Sequence, residues 1–227
     1  MLTRRDFMIM AGLGGTALLV GCAFPVGTTV KEDTSMSYEA KDYAKLLGMP
    51  GFSEVLLKNH FTLYQGYVTN TNKLLGTLDQ MLKEGKSALP EAAELRRRLG
   101  WEFDGMRLHE YYFENLGGNG VLDQGGKLAA RMTKDFGSIA NWEQEFRSIG
   151  TMRGVGWAIL YHDAMTNRLI NFWINEHDGG HPAGCKPLLI MDVFEHAFMI
   201  DYGLKRVDYV EAFFKNINWQ VAEARIK

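Results

Sequence analysis

Apolar residues recur at three- and four-residue steps through residues 52 to about 85: Val55, Leu56, Tyr64, Tyr67, Val68, Leu74, Leu75, Leu78 and Leu82. Residues so spaced share one face of an α-helix, so the segment is predicted helical. A second helix is predicted over 91 to 115, with Pro90 suited to its start because the first turn leaves that N–H unpaired anyway. Gly100 is expected to interrupt or bend it. The glycine-rich stretches 116–120 and 124–126 read as a loop, and residues 127 to 150 resume helical spacing. The period then changes. WAILYHD and LINFWIN, separated by AMTNR, read as a strand hairpin, and KPLLIMD as a third strand. Residues 195–203 and 207–225 are predicted helical. The fold class is α+β: an N-terminal helical hairpin (45–122), then a C-terminal domain (123–227) of helices packed on a small three-stranded antiparallel sheet.

The start of the chain follows another pattern. Arg4 and Arg5 precede a glycine-rich, moderately apolar stretch from 8 to 21. That stretch is short for a transmembrane helix, which takes ~20 apolar residues, and suits a twin-arginine signal peptide over 1–21. Leu19, Val20, Gly21 and Cys22 read as a lipobox, making Cys22 the lipidated first residue of the mature protein. Twin-arginine export carries folded proteins, so a metal can be loaded where the cell controls its supply. Small and polar residues then predict a flexible tether over 22–44. The expected location is exported and bacterial, either periplasmic or attached to a membrane through the N-terminal lipid.

Charge excludes one class of partner. Lys and Arg total 25 against 27 Asp and Glu, a net −2; removing Arg4, Arg5 and Asp6 with the signal leaves −3. Nucleic acid is not an expected partner. The run Arg96–Arg98 reads as the solvated face of a helix. Cys185 is the only thiol besides Cys22, so no intrachain disulfide is expected and a chain of this size relies on its core.

Asp192 and His196 stand four residues apart in PLLIMDVFEHAFMIDYG. On a helix they would lie one turn apart on one face, a good arrangement for two ligands of one metal ion. The segment resembles the C-terminal signature of the iron/manganese superoxide dismutases, D-V-W-E-H-A-Y-Y, and the resemblance extends over roughly residues 45 to 225. It implies a superoxide dismutase, with superoxide as substrate and one iron or manganese ion per subunit held by three His and one Asp. MRLHEYYFENLGG is similar to the family's N-H-x-x-Y-W-x-N-L stretch and makes His109 a ligand, with Tyr111, Tyr112 and Phe113 as a dry wall. The family's remaining His usually lies eight residues before the Tyr of Y-V-x-N-x-N. Here the residue eight before Tyr67 is Asn59, and His60 is seven before it. We take His60 as the ligand, since His60, Tyr64 and Tyr67 share a face of an ordinary α-helix, without the π-type bulge that a spacing of eight would suit. Three His and one carboxylate leave a position open to solvent, as a catalytic site requires.

The resemblance also implies roles around the ligands. The family's Gln on the second helix is Gly105 here, so the contact to metal-bound solvent falls to His177 in NEHDGGHPAG, a loop similar to the archaeal-type N-H-x-x-N-H, with His181 nearby. The tautomer of His177 is left open. Tyr67 matches the family's gateway Tyr, which relays protons. Glu195 matches the Glu that reaches a partner subunit's metal-bound His, implying a homodimer or tetramer. Arg206 matches a basic residue near the substrate funnel. The gateway His is replaced by Tyr64, and its usual partner Tyr by Met199. Phe113 and Phe194 stand where Trp is usual, and Trp157 joins them around the centre. The competing reading is a metal-binding or structural protein of the same fold without dismutase activity.

Overall fold

The computed structural model describes residues 37–226; the twin-arginine start, Cys22 and the tether through residue 36 lie outside the described residues. α1 (Glu54–Lys83) begins at Ser53, whose hydroxyl accepts from the Leu56 N–H at 3.1 Å, with Glu54 favourably placed in the first turn. It is one uninterrupted α-helix, so His60 and Tyr67 are related by two ordinary helical turns. α2 (Pro90–Glu114) has Pro at its start as expected, and Gly100 does not interrupt it: the helix is continuous from Pro90 to Glu114. One glycine costs about 1 kcal/mol of helix stability, which packing on α1 offsets. The two helices run antiparallel, as the pairs Asn70–Glu102, Tyr64–Glu110 and His60–Phe113 show.

Residues 127–150 form two helices rather than one. α3 (Lys127–Phe136) ends at Gly137, whose φ of 82° is left-handed, and Ser138 caps α4 (Ile139–Gly150) by accepting from Asn141 N–H at 3.0 Å. β1 (Gly156–Asp163), β2 (Arg168–Asn175) and β3 (Cys185–Asp192) form the antiparallel sheet in the order β2-β1-β3. The central strand is apolar and buried over most of its length, as a strand covered on both faces should be. Its register places Trp157 opposite Asp192.

The C-terminal helices are also shorter than predicted. Over 195–203 there is a 3-10 turn (Glu195–Ala197) and a single turn, α5 (Met199–Tyr202). The stretch read as one helix over 207–225 is α6 (Arg206–Lys215) and α7 (Trp219–Arg225). The chain leaves the helix between them because its polar groups bond elsewhere: Asn218 N–H donates to Asn115 O at 2.6 Å and Asn216 Nδ2 to Pro50 O at 2.8 Å. Residues 38–41, read as the end of the tether, lie against the hairpin. Tyr38 exchanges two 2.8 Å hydrogen bonds with Asn72, and Lys41 Nζ reaches Glu114 Oε1 at 2.8 Å. Among the described residues no helix is long and apolar enough to cross a membrane.

Arg225 joins three elements that converge near the ligands. It is only 8% exposed, and donates to Asn115 Oδ1 at 2.6 Å, Leu188 O at 2.8 Å and Glu114 Oε2 at 3.0 Å, while Asn115 Nδ2 donates to Ile190 O at 2.8 Å. Arg225→Met leaves the acceptors on buried Asn115 and Leu188 without this donor and is expected to cost on the order of 3 kcal/mol. Urea denaturation of the metal-loaded protein checks this; an unchanged midpoint would show that water replaces the guanidinium freely.

Candidate metal centre

Four side chains from separate parts of the fold meet at one point. His60 comes from the second turn of α1, His109 from near the end of α2, Asp192 from the last position of β3 and His196 from the 3-10 turn that follows. One ligand atom from each lies within 4.8 Å of all the others. The three Nε2 atoms face the same carboxylate oxygen, Asp192 Oδ2, at 3.2 Å (His60), 3.1 Å (His196) and 3.6 Å (His109). His60, His109 and Asp192 are buried, and the His196 side chain keeps 27% of its surface. Asn59, the alternative first ligand, is exposed on α1.

Asp192 and His196 do not share a helical face, which corrects the reading from their spacing. Asp192 ends a strand, its carbonyl accepts from Tyr209 Oη at 2.6 Å, and its Oδ1 accepts from Phe194 N–H at 2.9 Å. The Oδ1 bond turns the chain back toward the site, and leaves Oδ2 for the imidazoles. Since Tyr209 donates to Asp192, Tyr112 must donate to Tyr209 in the 3.1 Å bond between their hydroxyls. The sequence places Tyr112 only in the dry wall beside His109 and gives Tyr209 no role. Tyr112, three residues after His109, was legible on that helix face; Tyr209 lies seventeen residues beyond Asp192 with no local signal.

The electrostatics suit a bound cation. Burial alone favours the neutral acid at Asp192, but His196 and His60 beside it hold the carboxyl well below the usual carboxylate range. Burial pushes His60 and His109 down, so both are neutral. His109 Nδ1–H donates to Gly105 O at 2.5 Å, which leaves the Nε2 lone pair pointing into the site. That buried Nε2 has no hydrogen-bond partner among the described residues, so its lone pair would be available to a bound metal ion. Three imidazole nitrogens and a carboxylate oxygen accept iron or manganese. Rings close the surroundings: Phe113 lies 4.9 Å from His60 and Trp157 5.1 Å from His109 between centroids, and Tyr67 stacks on His109 at 5.2 Å.

Gly105 explains how Tyr67 fits. A Cβ there would lie 2.6 Å from the Tyr67 ring, so only glycine lets that ring rest on α2 over His109. The Tyr67 hydroxyl meets His177 Nε2 at 2.6 Å, and His177 Nδ1 accepts from Trp157 Nε1–H at 3.2 Å. An indole N–H only donates, so neutral His177 carries its proton on Nε2 and donates it to Tyr67 Oη. The tautomer open from sequence is thereby assigned, and the Tyr67 proton is free for another acceptor. Burial holds His177 neutral down to about 4 and, with the nearby Asp192 charge, pushes the Tyr67 phenol far above its usual value. Phe194 and Trp101 flank the His177 ring, each at 4.6 Å. Trp101 was not singled out in the sequence.

Two expected residues do other work. Tyr64 is fully buried and turned away from the centre: its hydroxyl donates to Glu110 Oε1 and accepts from Lys41 N–H, both at 3.0 Å. Arg206 binds backbone, donating to Met152 O and to Gly154 O at 2.8 Å, with its guanidinium 5.0 Å from the Phe198 ring. Glu195 is exposed beside His196. His181 lies behind His177, bonded to its carbonyl at 2.8 Å.

The geometry gives a direct expectation. His60→Ala loses bound metal, Asn59→Ala keeps it, and Tyr209→Phe weakens metal affinity about 10-fold by loosening Asp192. Metal content after competition with a chelator measures all three. Retention by His60→Ala would show that α1 supplies no ligand.

Known proteins bear on this arrangement. Residues 124–225 match the family model described as iron/manganese superoxide dismutases, C-terminal domain. A superoxide dismutase [Fe] of Cupriavidus metallidurans is 37% identical over 198 residues, covering 84% of this chain and 96% of that protein. A superoxide dismutase [Mn] 2 of Haloferax volcanii is 36% identical over 177 residues, 78% of this chain and 87% of the relative. A superoxide dismutase [Fe] of Saccharolobus solfataricus is 32% identical over 183 residues, with the same coverage of 78% and 87%. Similarity that runs through nearly the whole length of both iron and manganese enzymes leaves one conclusion: this chain belongs to the iron/manganese superoxide dismutase family.

Proposed function

We propose that the protein is a superoxide dismutase, converting two superoxide ions and two protons to dioxygen and hydrogen peroxide. The observation that carries this is the buried ligand set His60, His109, Asp192 and His196, with four ligand atoms within 4.8 Å of one another. A bound iron or manganese ion, one per subunit, supplies one-electron exchange between its divalent and trivalent states. The chain supplies the rest. Phe113, Trp157 and Phe194 exclude bulk water. Tyr67 keeps its proton, and the bond from His177 leaves that proton free to point at a small anion entering the centre. His177, neutral above about pH 4, holds the tyrosine oxygen in place without placing a second cation beside the ligands. Supply of protons by such groups is worth roughly 10²–10⁴ in rate.

The finer reading has independent supports. His177 and His181 occupy a loop similar to the archaeal-type one, in place of a Gln on α2. Exposed Glu195, next to His196, and exposed Met199, Ile200, Leu204 and Val207 in the adjoining segments favour a homodimer or tetramer in which Glu195 reaches the partner's His. Arg4, Arg5 and Cys22 support twin-arginine export and a lipid anchor, with the enzyme periplasmic or at a membrane surface.

Superoxide decay followed by pulse radiolysis on the metal-loaded protein tests the activity; no acceleration over free metal ion would leave only the metal-binding reading. Within an active enzyme, His177→Ala is expected to keep its metal and lose roughly 10²-fold in turnover. It also changes acid stability. In the unfolded chain this His titrates near 6.5, in the fold near 4, so between these values the unfolded state binds more protons and stability falls as pH drops. His177→Ala should therefore lose less melting temperature than the wild type between pH 6.5 and 4; equal losses would place the acid sensitivity elsewhere.

Cys22→Ser is expected to release the protein from membranes or stall its processing. An unchanged membrane fraction after cell fractionation would remove the lipid anchor from this account.

A further inference from the structure

His177 is held by its ring on one side and by its peptide on the other, and the second hold has its own machinery. The loop from Asn175 to His181 closes through two backbone bonds, Asn175 N–H to Gly179 O at 3.1 Å and Gly179 N–H to Asn175 O at 3.3 Å. Within it, Glu176 takes a left-handed φ of 57°, a conformation that a non-glycine residue keeps only where its surroundings enforce it. The His177 carbonyl meets His181 Nε2 at 2.8 Å. A carbonyl only accepts, so Nε2 of His181 bears the proton. In the neutral imidazole Nδ1 of His181 then accepts, and the Tyr161 hydroxyl, 2.7 Å away, donates to it. Tyr161 is buried on β1, the same strand that carries Trp157. Asp104 Oδ2 lies 3.8 Å from His181 Nε2, on α2 next to Gly105.

We propose that His181, with Tyr161 selecting its tautomer, is a positioning residue for the reaction: it fixes the His177 peptide and so sets the short His177–Tyr67 bond. Neither ring nitrogen of His181 is spare, so it takes no direct part in proton transfer. β1 thus holds His177 twice, through Trp157 to its ring and through Tyr161 and His181 to its backbone. This inference rests on the dismutase reading for its rate effect, but not for its geometry.

The test compares His181→Leu, which removes both bonds, with His181→Gln, whose amide can donate to the carbonyl and accept from Tyr161. In the metal-loaded protein, His181→Leu is expected to keep full metal content, to lengthen the Tyr67–His177 contact beyond hydrogen-bonding distance in a crystal structure, and to lower kcat about 10-fold with KM little changed. His181→Gln should restore most of the distance and of kcat. If His181→Leu retains the 2.6 Å contact, or if His181→Gln is as impaired as His181→Leu, the proposal fails. A wild-type protein without dismutation would instead sink the functional reading, and the crystallographic arm would still decide the role of His181. If His181→Leu does not fold, Tyr161→Phe, which removes only the tautomer-selecting bond, is expected to lengthen the same contact; no change in it would equally overturn the proposal.

Discussion

A carboxylate buried among three imidazoles needs a positive charge with it. Removing one ion from water costs several kcal/mol even after the protein relaxes. Asp192 is nonetheless held ionised, and the three Nε2 atoms turn toward its oxygen. His196 and His60 beside it hold it so, and the convergence of three ring nitrogens on one carboxylate oxygen would suit a shared cation. The helical hairpin, the sheet and the segment after it are arranged so that this one point can be built from all of them.

Much of the fold works to aim lone pairs. Gly105 O takes the Nδ1 proton of His109 and frees its Nε2. Tyr209 and Phe194 N–H hold the carbonyl and Oδ1 of Asp192 and leave Oδ2 free. Trp157 forces the proton of His177 onto Nε2 and so frees the proton of Tyr67. In each case a partner that can only accept, as Gly105 O does, or that donates, as the Phe194 N–H, the Tyr209 hydroxyl and the Trp157 indole do, determines the tautomer or orientation of its neighbour.

The departures from the family pattern follow the same logic. The spacing of seven between His60 and Tyr67 suits a regular α1, which keeps both residues on the face toward α2. Gly105 supplies no side chain to the centre, and the space is filled by the ring of Tyr67. Tyr64 leaves the centre for Glu110 and the segment preceding α1, so the hairpin gains a buried polar link where the family places a gateway residue.

The ligands were legible in the sequence because their chemistry is local in type. His60, His109, Asp192 and His196 could be chosen from residue kinds and flanking motifs, and the α+β class from periods of three to four and of two. What the sequence did not give was set by long-range bonding. Periodicity cannot see that residues 216–218 leave a helix to satisfy Asn115 and Pro50, or that Asp192 ends a strand opposite Trp157, because both depend on backbone partners far along the chain. The same holds for tautomers and for charge. Which nitrogen of His177 bears the proton, and whether Arg206 faces an anion or two carbonyls, depends on the polarity of neighbours that only the tertiary structure brings within hydrogen-bonding distance.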